Sequence, residues 1–273
     1  MAIITIARQV ASLGDEIATA CAEKLGYTFI ERKQIEKRIV ELGFPAEKMS
    51  KYDEKKTGFF ASLVKERDEY LNYLQYAVLE AACKGNCILI GRGSFAVLDG
   101  IKNLVSLRFV SSNDVRVERL KSEWNWNEKQ AQQRIDESDN NRNGFHKSFF
   151  NIDNENPEHY LLTMNTGLLS VENSVDIISS LLKMYVTVEK ESEGQKQIEK
   201  LFIGQKLVNS LMFEYHINVN FLHAVVEDDK IILQGVADSQ GVAEKAVQAA
   251  SSVMSDYEIC SSIRIVQDYK TYQ

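Results

Sequence analysis

The stretch ITIARQVASLGDEIATACAEKLGY, residues 4–27, decides the fold of this chain. It begins with an apolar, β-branched run, passes through a short loop, and ends in a segment with helical apolar spacing before Gly26. A strand, a tight loop and a helix in this order form the layout of a phosphate-binding loop, where backbone N–H groups at the helix start face the phosphate. The loop consists of Ala11, Ser12, Leu13 and Gly14.

Acidic residues follow this loop where a phosphate-binding loop usually carries Lys and then Ser or Thr. Asp15 and Glu16 stand there, so the usual contacts to the β- and γ-phosphates and Mg²⁺ are missing. A carboxylate about 4 Å from a phosphate oxygen would cost about 4 kcal/mol at an effective dielectric constant of about 20. Two arrangements stay open: one carboxylate binds Mg²⁺, with Glu16 as our candidate ligand, or both point away along the helix.

The same residues also suit an ordinary helix start. Ser is a favoured N-cap residue, and the helix dipole favours acids in the first turn. We therefore expect Ser12 to cap the first helix, whatever else the loop does.

Composition and charge limit the classes of function. The chain has 273 residues, 44% of them hydrophobic and 26% charged, as in ordinary globular proteins. Its net charge of −7 argues against nucleic acid as a partner. No apolar run approaches the roughly 18 residues of a membrane span, and no leader peptide is visible. We expect a cytoplasmic protein without an integral membrane segment, with reduced cysteines and no His or Cys metal site.

Apolar runs predict four strands separated by helical segments, which indicates an α/β fold with a parallel sheet. The strands are Ile3 to Ala7, Cys87 to Gly91, Leu104 to Val110 and Leu161 to Asn165. A long helix ends near Gly85, with one apolar stripe formed by Leu71, Leu74, Ala77, Val78, Ala81 and Ala82. Ligands of such sheets bind beyond the carboxyl ends of the strands. The Arg8-to-Gly14 loop and Gly91-Arg92-Gly93 are both predicted to lie there.

The composition changes at residues 187–197, TVEKESEGQKQ, which are polar and charged. This stretch is either a domain boundary or the solvated face of a helix. Beyond it the pattern predicts a helix, two strands joined at Asp228-Asp229, a second helix and a last strand. We therefore expect two domains, residues 1–188 and a small αββαβ domain over residues 197–270.

Arginines are the candidate groups for binding anions. Arg8 leaves the first strand, and Arg92 lies between two glycines that let a ligand approach the backbone. Arg116 and Arg119 share a helix face, where they either pair with Glu118 or Glu123 or point to a ligand. Arg134 and Arg142 follow in a polar helical stretch, Arg134 being a typical solvated side chain. Trp124 and Trp126 form either a core or lid contact or a platform for base stacking.

Together these segments resemble the cytidylate-kinase-like family of P-loop nucleoside monophosphate kinases. The resemblance covers about residues 1–186 and rests on the order and spacing of several stretches. They are ITIARQVASLGDEIATACAEKLGYTFIERKQI, YDEKKTGFF, GNCILIGRGSFAVL, the Arg116/Arg119 helix, DESDNNRNGFHKSFF and YLLTMNTGLLS. The resemblance implies a parallel-sheet core, a monophosphate-binding insert over about residues 32–84 and a lid over about residues 120–150.

The resemblance also implies an activity and roles for residues. It implies phosphoryl transfer from ATP, with Mg²⁺, to CMP, dCMP or a similar nucleotide. In this scheme the donor phosphates contact Arg8 and the backbone of Ser12, Leu13 and Gly14. Arg92, with Gly91 and Gly93, would hold the acceptor phosphate, and the catalytic arginines would be Arg116, Arg119 and Arg142.

The chain departs from the family pattern at several positions. Ala11, Leu13 and Asp15 stand where this branch commonly has glycine, glycine and a basic residue, and Gly93 replaces an acidic residue. These departures motivate a second hypothesis, a catalytically weak or inactive kinase fold that senses a nucleotide or ligand. A structural or assembly role, with the loop a vestige, is a third.

The last segment resembles a BON domain, through INVNFLHAVVEDDKIILQGVADSQGVAEKA and IRIV. The resemblance implies a small ligand or a membrane surface as partner. In the sensor hypothesis, nucleotide binding to the first domain would change how exposed this second domain is, or would change the state of a homo-oligomer. Glu227, Asp228 and Asp229 at the hairpin do not suggest an anionic lipid surface.

Overall fold

The computed structural model describes residues 1–52 and 64–266. The chain divides into two compact units, Met1–Gln195 and Lys196–Gln273. Most of the YDEKKTGFF stretch, part of the predicted insert, and residues 267–270 of the predicted second domain lie outside the described residues.

The first unit is built on a five-stranded parallel sheet with the order β2-β3-β1-β4-β5. Its strands are β1 (Ile3–Arg8), β2 (Thr28–Ile30), β3 (Cys87–Ile90), β4 (Leu104–Val110) and β5 (Leu162–Asn165). This sheet confirms the predicted α/β fold. Strand β2 was not predicted, because three residues give no readable alternation of apolar and polar side chains.

Helices connect these strands. They are α1 (Gly14–Leu25), α2 (Arg32–Glu41), α3 (Val64–Cys83), α4 (Ser94–Val97), α5 (Asn113–Trp124), α6 (Glu128–Phe150) and α7 (Val171–Tyr185). A short 3₁₀ helix, Ala46–Lys51, precedes α3. The predicted stripe of α3 is buried at Leu74, Ala77, Val78, Ala81 and Ala82, and the left-handed Gly85 follows the helix end. No described helix is long and apolar enough to cross a membrane.

The core of the first unit lies where α1 and α7 pack on the sheet. Ile4, Ile88, Val105 and Leu107 are fully buried in adjacent strands, and Ile178 of α7 packs with them. Strands β1, β3 and β4 therefore have apolar side chains with almost no contact with water, as in parallel sheets covered by helices. Their carboxyl ends lead into the loops that carry the polar side chains described below.

The second unit contains a three-stranded sheet with the order β6-β7-β8. Helix α8 (Val188–Asn209) is followed by β6 (Asn220–Glu227), β7 (Lys230–Ala237), α9 (Gln240–Val253) and β8 (Glu258–Ile265). Strands β6 and β7 are antiparallel, whereas β7 and β8 are parallel. The polar stretch 187–197 lies almost wholly in α8, so it is helical, and the division between the two units after Gln195 also falls within it.

Candidate functional site

The β1–α1 loop (residues 9–13) has two residues with positive φ although it contains no glycine. Ala11 and Leu13 adopt left-handed conformations, with φ of 59° and 55°. Such a conformation costs a residue with a side chain about 1–2 kcal/mol. Left-handed residues at such spacing turn successive N–H groups toward one side, which makes a concavity for anions. Strained backbone of this kind concentrates at functional sites, because the surrounding structure has to maintain it.

The prediction that Ser12 caps α1 is wrong. Leu13 holds the N-cap position and makes no side-chain capping bond. The hydroxyl of Ser12, which is 1% exposed, instead donates to the carbonyl oxygen of Gln9 at 2.9 Å. Because Leu13 is left-handed, the helix begins one residue later than the side-chain pattern indicates. The Ser12 hydroxyl forms a hydrogen bond within the loop instead of capping the helix.

Arg116 and Arg119 of α5 support this loop from behind. Arg116 donates from Nε to the Val10 carbonyl at 3.0 Å and forms two bonds of 2.8 Å to the carboxylate of Asp139. Arg119 donates to the carbonyl oxygens of Ala11, at 3.0 Å, and Thr166, at 2.7 Å. The guanidinium groups of Arg116 and Arg119 thus hydrogen-bond to the backbone of the strained loop and hold it in place. The pairing considered with Glu118 or Glu123 is not observed among the described residues.

Arg8 passes between two glycines beside the loop. A Cβ on Gly14 would lie 2.6 Å from Cγ of Arg8, and a Cβ on Gly91 would lie 2.7 Å from its Nη1. The guanidinium reaches Asp15, with Nη2 3.4 Å from Oδ1. The side chain of Asp15 is 64% exposed, so this carboxylate lies at the cleft and pairs with the nearest cation.

Arg92 is buried, and its known partners belong to the protein itself. Arg92 is 1% exposed. Its Nε, at 3.0 Å, and its Nη2 both donate hydrogen bonds to the carboxylate of Glu36. Nη1 donates to the Tyr52 carbonyl at 2.6 Å, and the ring of Phe145 lies 5.7 Å away. Burial raises the pKa of Glu36, but Arg92 and Arg32 outweigh it and hold that pKa below its usual value. These contacts surround the guanidinium of Arg92 with groups of the protein, and its contact with an acceptor phosphate stays a prediction.

The two glycines beside Arg92 each leave space for a different side chain. Gly91 leaves space for Arg8, as described above. A Cβ on Gly93 would lie 2.3 Å from Cε2 of Phe150, so glycine there allows α6 to pack closely. Both glycines have positive φ, 79° and 64°, which favours glycine over residues with a side chain.

A polar cleft of about 610 Å³ opens over the β1–α1 loop. We call it the loop cleft; its walls include Arg8, residues 9–16, Arg134, Arg142 and both tryptophans. The rings of Trp124 and Trp126 stack with centroids 5.7 Å apart. Trp126 packs against the buried apolar cluster formed by α5 and α6, whereas Trp124 is 56% exposed. The structure therefore brings the predicted loop residues together with three of the arginines, Arg8, Arg134 and Arg142. The other predicted arginines, Arg92, Arg116 and Arg119, do not line this cleft.

Arg108 was missed by the sequence interpretation. It lies in β4, is 7% exposed, and lines a small cavity of about 20 Å³ together with Arg8, Arg142 and His146. We call this the Arg108 cavity. The signal for it was the charged residue inside the apolar strand LVSLRFV, because a buried charge in a sheet needs a partner or a function. The ring of Tyr160 lies 5.6 Å from Arg108, and burial raises the pKa of this phenol to about 12.

The carboxylates at the loop cleft suit an Mg²⁺ bound mainly by phosphate. No described group of three or more His, Cys, Asp or Glu could hold a metal ion by itself. Mg²⁺ in phosphoryl-transfer sites is usually held by one or two carboxylates, water and the substrate phosphates. Asp15 and Glu16 are exposed at the cleft, so the donor set fits such an ion and does not fit an all-protein metal cage.

Comparison with known proteins gives a consistent result for the first unit. Residues 3–168 match the Cytidylate kinase-like family. A curated cytidylate kinase of Methanocaldococcus jannaschii is 29% identical over 144 residues, which are 52% of this chain and 75% of that protein.

Two solved structures illustrate the structural similarity. An uncharacterized protein from Eubacterium ventriosum aligns with a TM-score of 0.55 and 17% identity, covering 67% of this chain and 98% of the other. A shikimate kinase from Bacteroides thetaiotaomicron aligns with a TM-score of 0.39 and 15% identity, covering 67% and 98%. The first of these supports the fold alone.

Proposed function

Because the chain belongs to the cytidylate kinase-like family, we propose that it transfers a phosphoryl group from ATP to CMP, dCMP or a similar nucleoside monophosphate. The observation that carries this proposal is the β1–α1 loop. Ala11 and Leu13 adopt the left-handed backbone of an anion-binding turn at an energetic cost, and two arginines maintain it. A loop without an anionic ligand would gain nothing from such strain.

In the proposed reaction the donor phosphates lie in the loop cleft. The N–H groups at the start of α1 have no partner within the helix, and they face the phosphates together with the positive end of the helix dipole. Arg8 and Arg142, which line both the loop cleft and the Arg108 cavity, are the cations beside the transferred group. Arg116 and Arg119 act as positioning residues, since they hold the loop carbonyls.

The transfer itself requires positioning and positive charge rather than a protein nucleophile. An oxygen of the acceptor phosphate forms a bond to the γ-phosphorus of ATP. The bond between that phosphorus and the oxygen bridging to the β-phosphate breaks, and its electron pair leaves with ADP. Mg²⁺, held by the phosphates with Glu16 or Asp15 as the candidate carboxylate, would neutralise part of this charge when bound.

The direct test is a turnover panel of nucleoside monophosphates with ATP and Mg²⁺, with ADP formation as the readout. Asp15→Lys and Arg92→Ala are assayed beside the unmodified protein. A gain of activity in Asp15→Lys supports a loop that faces phosphate, because it restores the missing cation. No phosphorylated product from any common monophosphate would refute the proposal.

A second candidate function is a nucleotide or ligand sensor without efficient transfer. It is supported by Asp15, whose carboxylate contacts Arg8 at the cleft and would repel phosphates. ATP binding in calorimetry without turnover would favour the sensor, whereas no binding at millimolar concentration would argue against both functions. In the sensor the BON-like second unit would bind a small ligand or change the oligomeric state when nucleotide binds.

A further inference from the structure

The Arg108 cavity holds a guanidinium that no described residue hydrogen-bonds. Arg108 is 7% exposed, and its closest charged partner is Glu155, with Nη2 3.9 Å from Oε1. The guanidinium also lies over the face of the Tyr160 ring, 5.6 Å from its centroid. A guanidinium has five N–H donors, and none of those of Arg108 donates to a described residue. The fold therefore maintains a cation here that packing alone does not explain.

A second polar group of the same cavity has no hydrogen-bond partner among the described residues. Asn154 is 6% exposed, and its side-chain oxygen Oδ1 is buried and accepts no hydrogen bond from this part of the chain. It lines the cavity with Arg108. An acceptor and a cation that line the same cavity suit a ligand that carries both an anionic oxygen and a hydroxyl. A phosphate monoester with one protonated oxygen, or with a neighbouring sugar hydroxyl, has both.

The position of the cavity relates it to the proposed transfer. It lies at the carboxyl ends of β1, β3 and β4, where Arg8 and Gly91 line its wall. Arg8 and Arg142 also line the loop cleft. An anion in the Arg108 cavity and phosphates in the loop cleft would thus share these two cations. At about 20 Å³ the cavity admits one water-sized group, so an oxygen of the ligand enters it while the rest stays at the mouth.

We propose that Arg108 binds the phosphate of the acceptor and that Oδ1 of Asn154 accepts a hydrogen bond from a hydroxyl of the same ligand. This inference rests on the proposed function and assigns the acceptor subsite to Arg108 instead of Arg92, whose guanidinium is enclosed by Glu36 and Tyr52. Arg108 is then a substrate-binding residue, and Arg92 joins α2 to the loop after β3.

The test measures binding without ATP, so that it does not depend on turnover. The proteins are the unmodified chain, Arg108→Met, Asn154→Leu and the control Arg264→Met, which removes the same charge from an exposed position on β8. Calorimetry with CMP, dCMP, AMP and inorganic phosphate gives the affinities, and thermal unfolding gives the stabilities. Met is close to Arg in length and keeps the contact with Tyr160.

We expect Arg108→Met to raise the dissociation constant of the monophosphate by about tenfold to a hundredfold, as for loss of charge-assisted hydrogen bonds. ATP affinity, measured in a separate titration, stays unchanged, and Arg264→Met changes neither the monophosphate affinity nor the ATP affinity. Arg108→Met unfolds at about the same temperature as the unmodified chain, because it removes no hydrogen bond to a described residue and only a long ion pair, 3.9 Å, with the exposed Glu155. A merely structural arginine would lower that temperature instead.

Two results would overturn the inference. One is monophosphate binding by Arg108→Met at unchanged affinity. The other is the absence of binding of every tested anion to the unmodified chain. Failure of the proposed function looks different, because there monophosphate binds through Arg108 and no product forms with ATP.

Discussion

Replacing Glu36 by Gln should destabilise the first unit more than replacing its partner Arg92 by Met. Glu36→Gln removes the carboxylate that pairs with the buried guanidinium of Arg92, 1% exposed, while the Tyr52 carbonyl and the Phe145 ring remain in contact with it. Removing one member of a buried ion pair costs about 3–5 kcal/mol. In Arg92→Met the carboxylate keeps Arg32, at 2.6 Å, and remains 23% exposed, so we expect a loss of about 1–2 kcal/mol. The double variant should show a coupling free energy above about 1 kcal/mol.

The pH dependence of this difference follows from the lowered pKa of Glu36. A carboxyl group whose pKa is lower in the folded chain stabilises the fold above its unfolded pKa, about 4.3. That stabilisation is lost as the pH falls through the lower pKa of the folded state. The cost of Glu36→Gln should therefore be the same at pH 7 and pH 5 and become smaller at pH 3.

The assay is urea unfolding followed by tryptophan fluorescence, which reports on the first unit because both tryptophans lie there. Glu41→Gln is a matched control on the same helix, where the carboxylate is 46% exposed and forms surface ion pairs. It should cost less than about 1 kcal/mol. If Glu36→Gln costs as little as the control, Arg92 is not held by Glu36 and remains available to a substrate.

Three further predictions concern the loop cleft and the buried thiols. Asp15→Asn removes an exposed negative charge beside the expected phosphates, so ATP affinity should rise about fivefold, equivalent to about 1 kcal/mol; unchanged or weaker affinity in calorimetry contradicts this. ATP should quench the fluorescence of Trp124 and Trp126, which line the cleft, with most of the change lost in Trp124→Phe; binding without any spectral change would exclude contact of the base with this pair. Burial raises the pKa of Cys21 and Cys87 to about 12, so a thiol reagent at pH 8 should modify neither until urea unfolds the chain, and rapid reaction of the folded protein would count against their burial.

Much of the fold was predictable because its signals are local. Runs such as CILI, Cys87–Ile90, combine β-branched residues with complete burial, and helix α3 carries its apolar stripe at regular spacing. The αββαβ order of the second unit follows from the same two periodicities. Where a segment was too short to show a period, as in Thr28–Ile30, prediction failed.

The candidate site was predicted less completely, because a residue's type does not reveal its partner. Ser12 was expected to cap a helix and instead closes the loop on Gln9. Arg116 and Arg119 were identified as a pair on one face, but their partners are the carbonyls of a loop more than a hundred residues earlier, with a sequence separation of 106 from Val10. Arg108 passed unnoticed inside a strand.

The sequence alone determined the opening strand, loop and helix, the absence of the usual lysine, and the family. These depend on residue identity and on short-range spacing, which a linear chain displays directly. Only the tertiary structure decided that Ala11 and Leu13 adopt the conformation expected of glycine. The energy that maintains it comes from hydrogen bonds of distant arginines. The tertiary structure also decided that Arg92 is enclosed whereas Arg108 lines a cavity. Burial and pairing depend on how elements far apart in sequence pack together, so a linear sequence does not display them.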